Sequence, residues 1–221
     1  MLALAATALV SCSSGVSAPS TATTDAAPGV IAPPASDPPV ATTTIVATTV
    51  TTAAPAATTA APAQHVFPID PPSVADYGPG HHDYPATDIF CPVGSDFVAV
   101  TAGTVDFVSA VDTWDPATDD PVVRGGISIA IVGDDGVRYY GSHLSAIAPG
   151  IAPGVVVEAG QTLGATGNSG NARDTDPHLH FGVSHPTTAE DWEVRRGEVD
   201  TYPLLQAWER GENVTPVVPT A

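Results

Sequence analysis

The chain has 221 residues and a formal net charge of −18, with 24 acidic residues against six basic ones. All six basic residues are arginines, and this sparse positive charge argues against binding of nucleic acid or of anionic lipid headgroups. The length allows one domain with appendages, or two small domains at most.

The N-terminus has the character of a targeting segment. Residues 1–11 form an apolar run that is too short to span a bilayer as a helix, and it leads into Leu9-Val10-Ser11-Cys12. This ending resembles the lipobox of bacterial lipoproteins, in which the cysteine becomes the acylated first residue. We therefore predict a lipoprotein-type signal peptide over residues 1–12, a membrane anchor at Cys12 and an extracytoplasmic location in the bacterial cell envelope. An ordinary secretory signal is the alternative.

Composition divides the remaining residues into three parts. Residues 13–64 are dominated by Ala, Thr, Pro and Ser, which bury too little apolar surface to order the chain, so we predict a disordered linker. Residues 65–211 have a globular composition and predict one domain, whereas residues 212–221 predict a flexible tail. Cys91, the second cysteine, is predicted to be a buried thiol.

Short apolar runs separated by glycine turns predict β-strands through most of the domain. These runs are residues 96–100, 104–110, 126–132, 137–140, 155–157 and 161–164, followed by a strand around His178. Their close spacing favours a mainly β barrel or sandwich over a parallel α/β sheet. Only residues 201–210 have helical periodicity, so we expect one short C-terminal helix on the outside of the β scaffold.

An acidic stretch, residues 112–124, interrupts the strand pattern. The stretch contains Trp114, which could serve as a contact surface beside a substrate groove. A plain solvated loop is the alternative interpretation.

The segment His178-Leu179-His180 lies in a predicted strand. Side chains alternate between the two faces of a strand, so His178 and His180 are predicted to point the same way and Leu179 the opposite way. Two neighbouring imidazoles suggest a divalent metal site, with one ring as ligand and the other as a proton-transfer group.

A second polar cluster precedes the strands, where His81-His82 is followed by Asp88. One of these histidines, the aspartate and a distant histidine would supply two nitrogens and one oxygen. That set leaves one tetrahedral position open for water, which is typical of catalytic zinc sites. Calcium and magnesium would require mainly oxygen ligands.

Four segments, in this order, resemble the motifs of the lysostaphin-type zinc metallopeptidases, which cut peptide bonds in bacterial peptidoglycan. The segments are residues 81–94, Tyr140-Gly141-Ser142-His143-Leu144-Ser145, residues 160–170, and Pro177-His178-Leu179-His180-Phe181. Together they span nearly the whole predicted domain. The resemblance implies a duplicated hybrid motif fold, a barrel-sandwich β scaffold with a zinc cofactor.

The resemblance also implies a ligand set. Asp88 and His180 would bind zinc together with one residue of the pair His81 and His82. The first histidine of the family usually lies four residues before the aspartate, whereas seven and six residues separate these two histidines from Asp88, with an insertion at residues 84–86. We favour His81 slightly and keep His82 as the alternative.

The resemblance places His143 and His178 beside the metal without binding it. No glutamate base of the His-Glu-x-x-His type is present, so these two histidines are expected to carry proton transfer. Tyr140 is expected to contact the substrate, although its motif carries one extra residue, and Asn168 could donate hydrogen bonds to the substrate backbone. Gly182 stands where a glutamate is common in the family, and we expect no catalytic consequence from this difference.

The sequence therefore predicts a monomeric zinc-dependent endopeptidase that acts on the stem or bridge peptides of peptidoglycan. A non-catalytic wall-binding or regulatory module of the same fold is the main alternative. A phosphocarrier with a two-histidine barrel is a further alternative, which the predicted export signal disfavours. The two remaining histidines, His65 and His185, are expected to be exposed to solvent.

Overall fold

The computed structural model describes residues 64–220. The predicted signal peptide, the predicted anchor at Cys12 and almost all of the predicted linker lie outside the described residues. Within the described part of the chain, no helix combines the length and the apolar character needed to cross a membrane.

Residues 64–220 form ten β-strands and two α-helices. The strands are β1 (Ile69–Asp70), β2 (Asp76–Tyr77), β3 (Thr87–Phe90), β4 (Asp96–Val98), β5 (Gly103–Ser109), β6 (Ile127–Gly133), β7 (Arg138–Ile147), β8 (Val156–Val157), β9 (Thr162–Thr166) and β10 (His178–Ser184). The helices are α1 (Trp192–Arg195) and α2 (Tyr202–Glu209). The helix predicted at residues 201–210 is therefore present as α2, and the single-turn helix α1 was not predicted.

The strands form one curled antiparallel sheet. Its main path runs β1-β4-β9-β7-β10-β3-β2, while β6 pairs with β7, and β5 pairs with both β6 and β8. Every strand pairing in this region is antiparallel, which confirms the predicted mainly β scaffold. The sequence did not predict β1, β2 or β3, although β3 carries Asp88.

Strand β10 shows how the core positions the polar residues. Leu179, Phe181 and Val183 are fully buried and belong to the hydrophobic core. Side chains alternate along a strand, so His178 and His180 lie on the opposite face from these three. Burial of the apolar face keeps the strand in register, because a slip of one residue would move the apolar side chains out of the core.

The two ends of the described chain meet beside helix α2. His65 is 4% exposed, and its ring stacks on Trp208 with the ring centroids 5.6 Å apart. The side-chain oxygen of Asn213 accepts a hydrogen bond from the backbone N–H of His65, and Val214 accepts one from the indole of Trp208. The expectation that His65 is exposed was wrong, and part of the predicted flexible tail contacts the domain.

Two other residues were assigned by sequence to buried or exposed positions. Cys91 is a buried free thiol, as predicted. His185 is only partly exposed, and its Nδ1 lies 2.6 Å from Oε2 of Glu198. The expectation of a solvent-exposed His185 is therefore only partly met.

Candidate active site

Pairing between β3 and β10 brings together two residues that are 92 positions apart in the chain. His180 lies directly opposite Asp88 in the antiparallel register, a placement that keeps opposed side chains close. Nδ1 of His180 is 3.0 Å from Oδ1 of Asp88. The neighbouring strand β7 pairs with the other edge of β10 and places Ser142 beside His180.

His81 completes a cluster of three possible metal ligands. It lies in the loop before β3, with its Nε2 3.9 Å from Oδ2 of Asp88. One ligand atom each from His81, Asp88 and His180 lie within 4.8 Å of one another. His82 is exposed, and its ring packs against that of His81 with the centroids 5.5 Å apart. The structure therefore groups His81, and not His82, with Asp88 and His180.

The hydrogen bonds of His180 suit a metal ligand. Its Nε2 lies 3.0 Å from the backbone carbonyl oxygen of Arg196, a contact in which only the nitrogen can donate. This assigns the proton to Nε2 and leaves the lone pair of Nδ1 directed towards Asp88. Two imidazole nitrogens and one carboxylate oxygen match the donor preference of zinc, so these residues fit the ion that the sequence predicted.

His143 and His178 lie beside the cluster with a shared arrangement. Nδ1 of His143 donates to the carbonyl of Ser169 at 2.9 Å, and Nδ1 of His178 donates to the carbonyl of Asp176 at 2.8 Å. In both rings Nε2 is left free to accept a proton. The ring centroids of the two histidines are 4.9 Å apart, and His178 Nε2 is 4.0 Å from Oδ1 of Asp88.

The backbone of His143 is held in an unusual conformation. Its φ of 65° lies in the left-handed region, which non-glycine residues seldom adopt, and the residue is buried. Its N–H donates to the carbonyl of Gly125 at 2.9 Å. Such strain persists where the surrounding structure imposes it, and it often accompanies a functional position.

Burial and mutual charge effects shift the pKa values of the cluster. Burial acts to raise the pKa of Asp88, but a protonated His180 ring, which can donate from Nδ1, and the charges of His178 and His81 lower the pKa to about 2. Burial and repulsion from His180 lower the pKa of His81 to about 4. Burial, with His180 and His178 nearby, lowers the pKa of His143 to about 3. At neutral pH the site therefore presents an ionised carboxylate and neutral imidazoles at these positions.

A cavity of about 260 Å³ opens beside the cluster. Tyr140, one of the predicted substrate contacts, lines it, with its ring centroid 6.3 Å from that of His180. The other lining residues include Tyr84, Arg124, Asn171, Trp192, Arg195 and Arg196, together with His81, His143 and His180. None of the first six was singled out from the sequence as a site residue, although Arg124 ends the acidic stretch that one interpretation placed beside a substrate groove. An adjacent Arg-Arg pair in a chain of net charge −18 was the signal available for two of them.

Two predicted substrate contacts do not line this cavity. The side-chain amide of Asn168 donates to the carbonyl of Arg173 at 3.3 Å. The guanidinium of Arg173 lies over the ring of Trp114, 4.7 Å from the centroid, and the Trp114 indole donates to Asp119. These contacts hold Asn168 and Trp114 beside the loop that carries Arg173.

Comparison with known proteins places these residues in a family. The model of peptidase family M23 matches residues 82–192, which is half of the chain. The chain belongs to peptidase family M23. The matched region contains Asp88, His143, His178 and His180, and begins one residue after His81.

The chain is similar to one curated protein and to two solved structures described below. The L-Ala–D-Glu endopeptidase of Bacillus subtilis (strain 168) is 30% identical over 165 residues, a match that covers 67% of this chain and 45% of the relative. This M23 chain therefore spans less than half the length of that relative.

Among solved structures, a candidate glycyl-glycine endopeptidase from Ruminococcus gnavus is 24% identical, with a TM-score of 0.51, covering 68% of this chain and 62% of that one. Lysostaphin from Staphylococcus simulans is 25% identical, with a TM-score of 0.47, covering 73% and 61% of the two chains. The first of these structures shares the curled β fold.

Proposed function

We propose that this M23 chain is a zinc-dependent endopeptidase that hydrolyses peptide bonds in bacterial peptidoglycan. The observation that supports it is the cluster of His81, Asp88 and His180 beside two further histidines with free Nε2 atoms. Family membership supports peptidase activity, and the name of the Bacillus relative supports a substrate in the cell wall.

The proposed ligands have distinct parts in holding the ion. His81 and His180 supply nitrogens, and Asp88 supplies a carboxylate that is ionised at neutral pH. The carbonyl of Arg196 fixes the ring orientation of His180 through its Nε2. A zinc ion held there would act as a Lewis acid and would lower the pKa of a bound water towards about 7.

Proton transfer is assigned to His143 and His178. Their Nδ1 atoms are held by backbone carbonyls, so each Nε2 can accept a proton from the attacking water and return it to the leaving amine. Tyr140 lines the same cavity, and its hydroxyl can donate a hydrogen bond to the substrate. In our proposal His143 and His178 together accept the proton of the water and return it to the leaving amine, and neither step is assigned to one of them alone.

The proposal is tested with purified protein and isolated peptidoglycan. We expect release of new amino groups that a chelator abolishes and added zinc restores. The His180→Ala variant should lose both bound zinc and activity, whereas His185→Ala, a histidine outside the cluster, should keep both. Sedimentation with peptidoglycan without any cleavage would instead support the non-catalytic wall-binding alternative.

We further propose that the protein works outside the cytoplasm, as a monomer attached to the membrane through an acylated Cys12. An ordinary signal peptide would give a secreted protein without this anchor. Replacement of Cys12 by Ser should move the protein from the membrane fraction to the soluble extracytoplasmic fraction on immunoblots. An unchanged membrane fraction would contradict the anchor at this residue.

A further inference from the structure

The six arginines of the chain fall into two groups by their partners. Four of them form ion pairs with a carboxylate: Arg124 with Asp119 at 2.6 Å, Arg138 with Asp106 at 2.8 Å, Arg173 with Asp112 at 3.1 Å, and Arg210 with Glu212 at 2.7 Å. Within residues 64–220, Arg195 and Arg196 have no carboxylate oxygen within 4.0 Å of their nitrogens. The chain carries 24 acidic residues, so two adjacent arginines without an acidic partner are unexpected.

Both of these arginines line the cavity beside the proposed metal ligands. Arg195 is only 4% exposed, and its guanidinium lies 3.7 Å from the ring centroid of Phe107 and 5.5 Å from that of Tyr140. One of its Nη atoms donates to the carbonyl of Ala189, while its Nε is buried without a hydrogen-bond partner in the described part of the chain.

Arg196 is held between two aromatic rings. Its guanidinium lies 4.0 Å from the ring centroid of Tyr84 and 5.0 Å from that of Trp192. Its Nε is also buried without a partner among the described residues. Stacking on aromatic faces restricts a guanidinium and lowers the entropy that it loses when it binds a ligand.

The backbone that carries these arginines is tied to the metal cluster. The carbonyl of Arg196 accepts the hydrogen bond from His180 Nε2, at 3.0 Å. Asp191 caps the N-terminus of helix α1, where its carboxylate accepts a hydrogen bond from the N–H of Val194. The backbone of both arginines is thus set relative to the cluster, and the contacts with Phe107 and Tyr84 place the two guanidinium groups.

Burial of a guanidinium with no carboxylate in contact is unfavourable, and an anionic ligand would offset that cost. Guanidinium groups bind carboxylates through paired, charge-assisted hydrogen bonds. We propose that Arg195 and Arg196 form a subsite for a carboxylate of the peptidoglycan stem peptide. This inference rests on the proposed function and narrows its substrate to acidic stem peptides, because a glycine bridge has no free carboxylate between its peptide bonds.

The test compares two forms of one synthetic stem pentapeptide, Ala-γ-Glu-Lys-Ala-Ala, with all carboxylates free or all amidated. Binding to the full zinc-loaded chain is measured by calorimetry, and cleavage is measured by release of amino groups. We expect the wild type to bind the free form about 10-fold to 100-fold more tightly than the amidated form. Arg196→Gln should remove most of this difference, and Arg196→Lys should restore only part of it.

Control variants separate the subsite from general effects of charge and folding. Arg210→Gln removes the same charge from an exposed ion pair outside the cavity and should keep the full preference for the free form. Zinc content and the thermal midpoint of Arg196→Gln should match those of the wild type, because its backbone carbonyl remains in place.

The outcomes distinguish the subsite from the proposed function. Equal binding of the two peptides by the wild type, or an undiminished preference in Arg196→Gln, would overturn the subsite even if peptidoglycan is cleaved. Preferential binding of the free form that depends on Arg196, without cleavage of the peptide or of isolated peptidoglycan, would support the subsite and contradict the endopeptidase proposal.

Discussion

At the scale of single residues, His81 and His82 are adjacent in the chain but differ in burial and in their distance from Asp88. His81 is half-buried with its Nε2 3.9 Å from Oδ2 of Asp88. His82 is exposed, and its ring packs against that of His81. We expect His81→Ala to weaken zinc binding by at least about 10-fold, and His82→Ala to leave it nearly unchanged. Zinc titration with a competing chelator measures both. Stronger loss in His82→Ala would reverse the proposed assignment.

A variant of His178 should show that zinc binding and turnover depend on different histidines. Nδ1 of His178 is held by the carbonyl of Asp176, and its Nε2 faces the site without belonging to the three-ligand cluster. We expect His178→Ala to retain zinc and to lower kcat by about 10² to 10⁴, the range typical of general acid–base groups. Zinc analysis and amine release on the same preparation provide the comparison. Full turnover in this variant would rule out a role for His178 in proton transfer.

At the scale of elements, strand β10 and the segment that follows α1 depend on a glycine. A Cβ added at Gly182 would overlap the backbone carbonyl group of Arg196, the group that accepts the hydrogen bond from His180. A larger residue at this position therefore has to displace the segment that carries both cavity arginines. From the sequence we expected no catalytic consequence of Gly182, and the structure gives a packing reason for a glycine at this position.

The close approach of Gly182 to the Arg196 carbonyl predicts the effect of the methyl group that Gly182→Ala adds. We expect Gly182→Ala to lower the free energy of unfolding by about 1 to 3 kcal/mol, the usual cost of overpacking, and to weaken zinc binding. Urea unfolding and zinc titration measure the two effects. Gly78→Ala is the matched control, since a Cβ there meets nothing within 4 Å and its φ is not positive. Equal stabilities of the two variants would contradict the proposed close packing.

The strands show why local patterns predicted most of the elements. Strands β5, β6 and β9 lie within two residues of their predicted bounds, because alternating apolar residues and glycine turns are local signals. Strand β7 runs to Ile147, well beyond the predicted residues 137–140, because its polar second half is held by pairing with β9. Strand β3 carries no such pattern of its own and is defined by pairing with β10.

At the scale of the whole molecule, His65 joins the start of the described chain to the segment after α2. Its Nε2 is 2.9 Å from Asp135 Oδ2, and its Nδ1 is 2.9 Å from the Asn213 side-chain oxygen. Tyr139, whose hydroxyl lies 3.1 Å from Nε2, is the third neighbour of the ring. Burial acts to lower the pKa of His65, but its hydrogen bonds and the charge of Asp135 raise the pKa above 6.5.

This network predicts a stability that depends on pH. The folded protein holds the His65 proton more tightly than the unfolded chain, so the stabilisation is complete below about pH 6.5 and is lost as the pH rises through the raised pKa. We expect His65→Gln to lower the free energy of unfolding by about 1 to 3 kcal/mol at pH 5.5, and by less at pH 8.5. Urea unfolding at both pH values, with His82→Gln as control, measures the difference. An equal loss at both values would contradict a charged His65 in the folded state.

The sequence by itself determined the mainly β class and the types of residue that could hold zinc, since strand alternation is a local property that places His178 and His180 on one face. The tertiary structure alone decided that His81 joins Asp88, that Arg195 and Arg196 line the cavity, and that His65 is buried. These placements depend on loops and on pairings between residues up to 148 positions apart. Neither the conformation of a loop around Pro85 nor the packing of one distant segment on another follows from the periodicity of either segment.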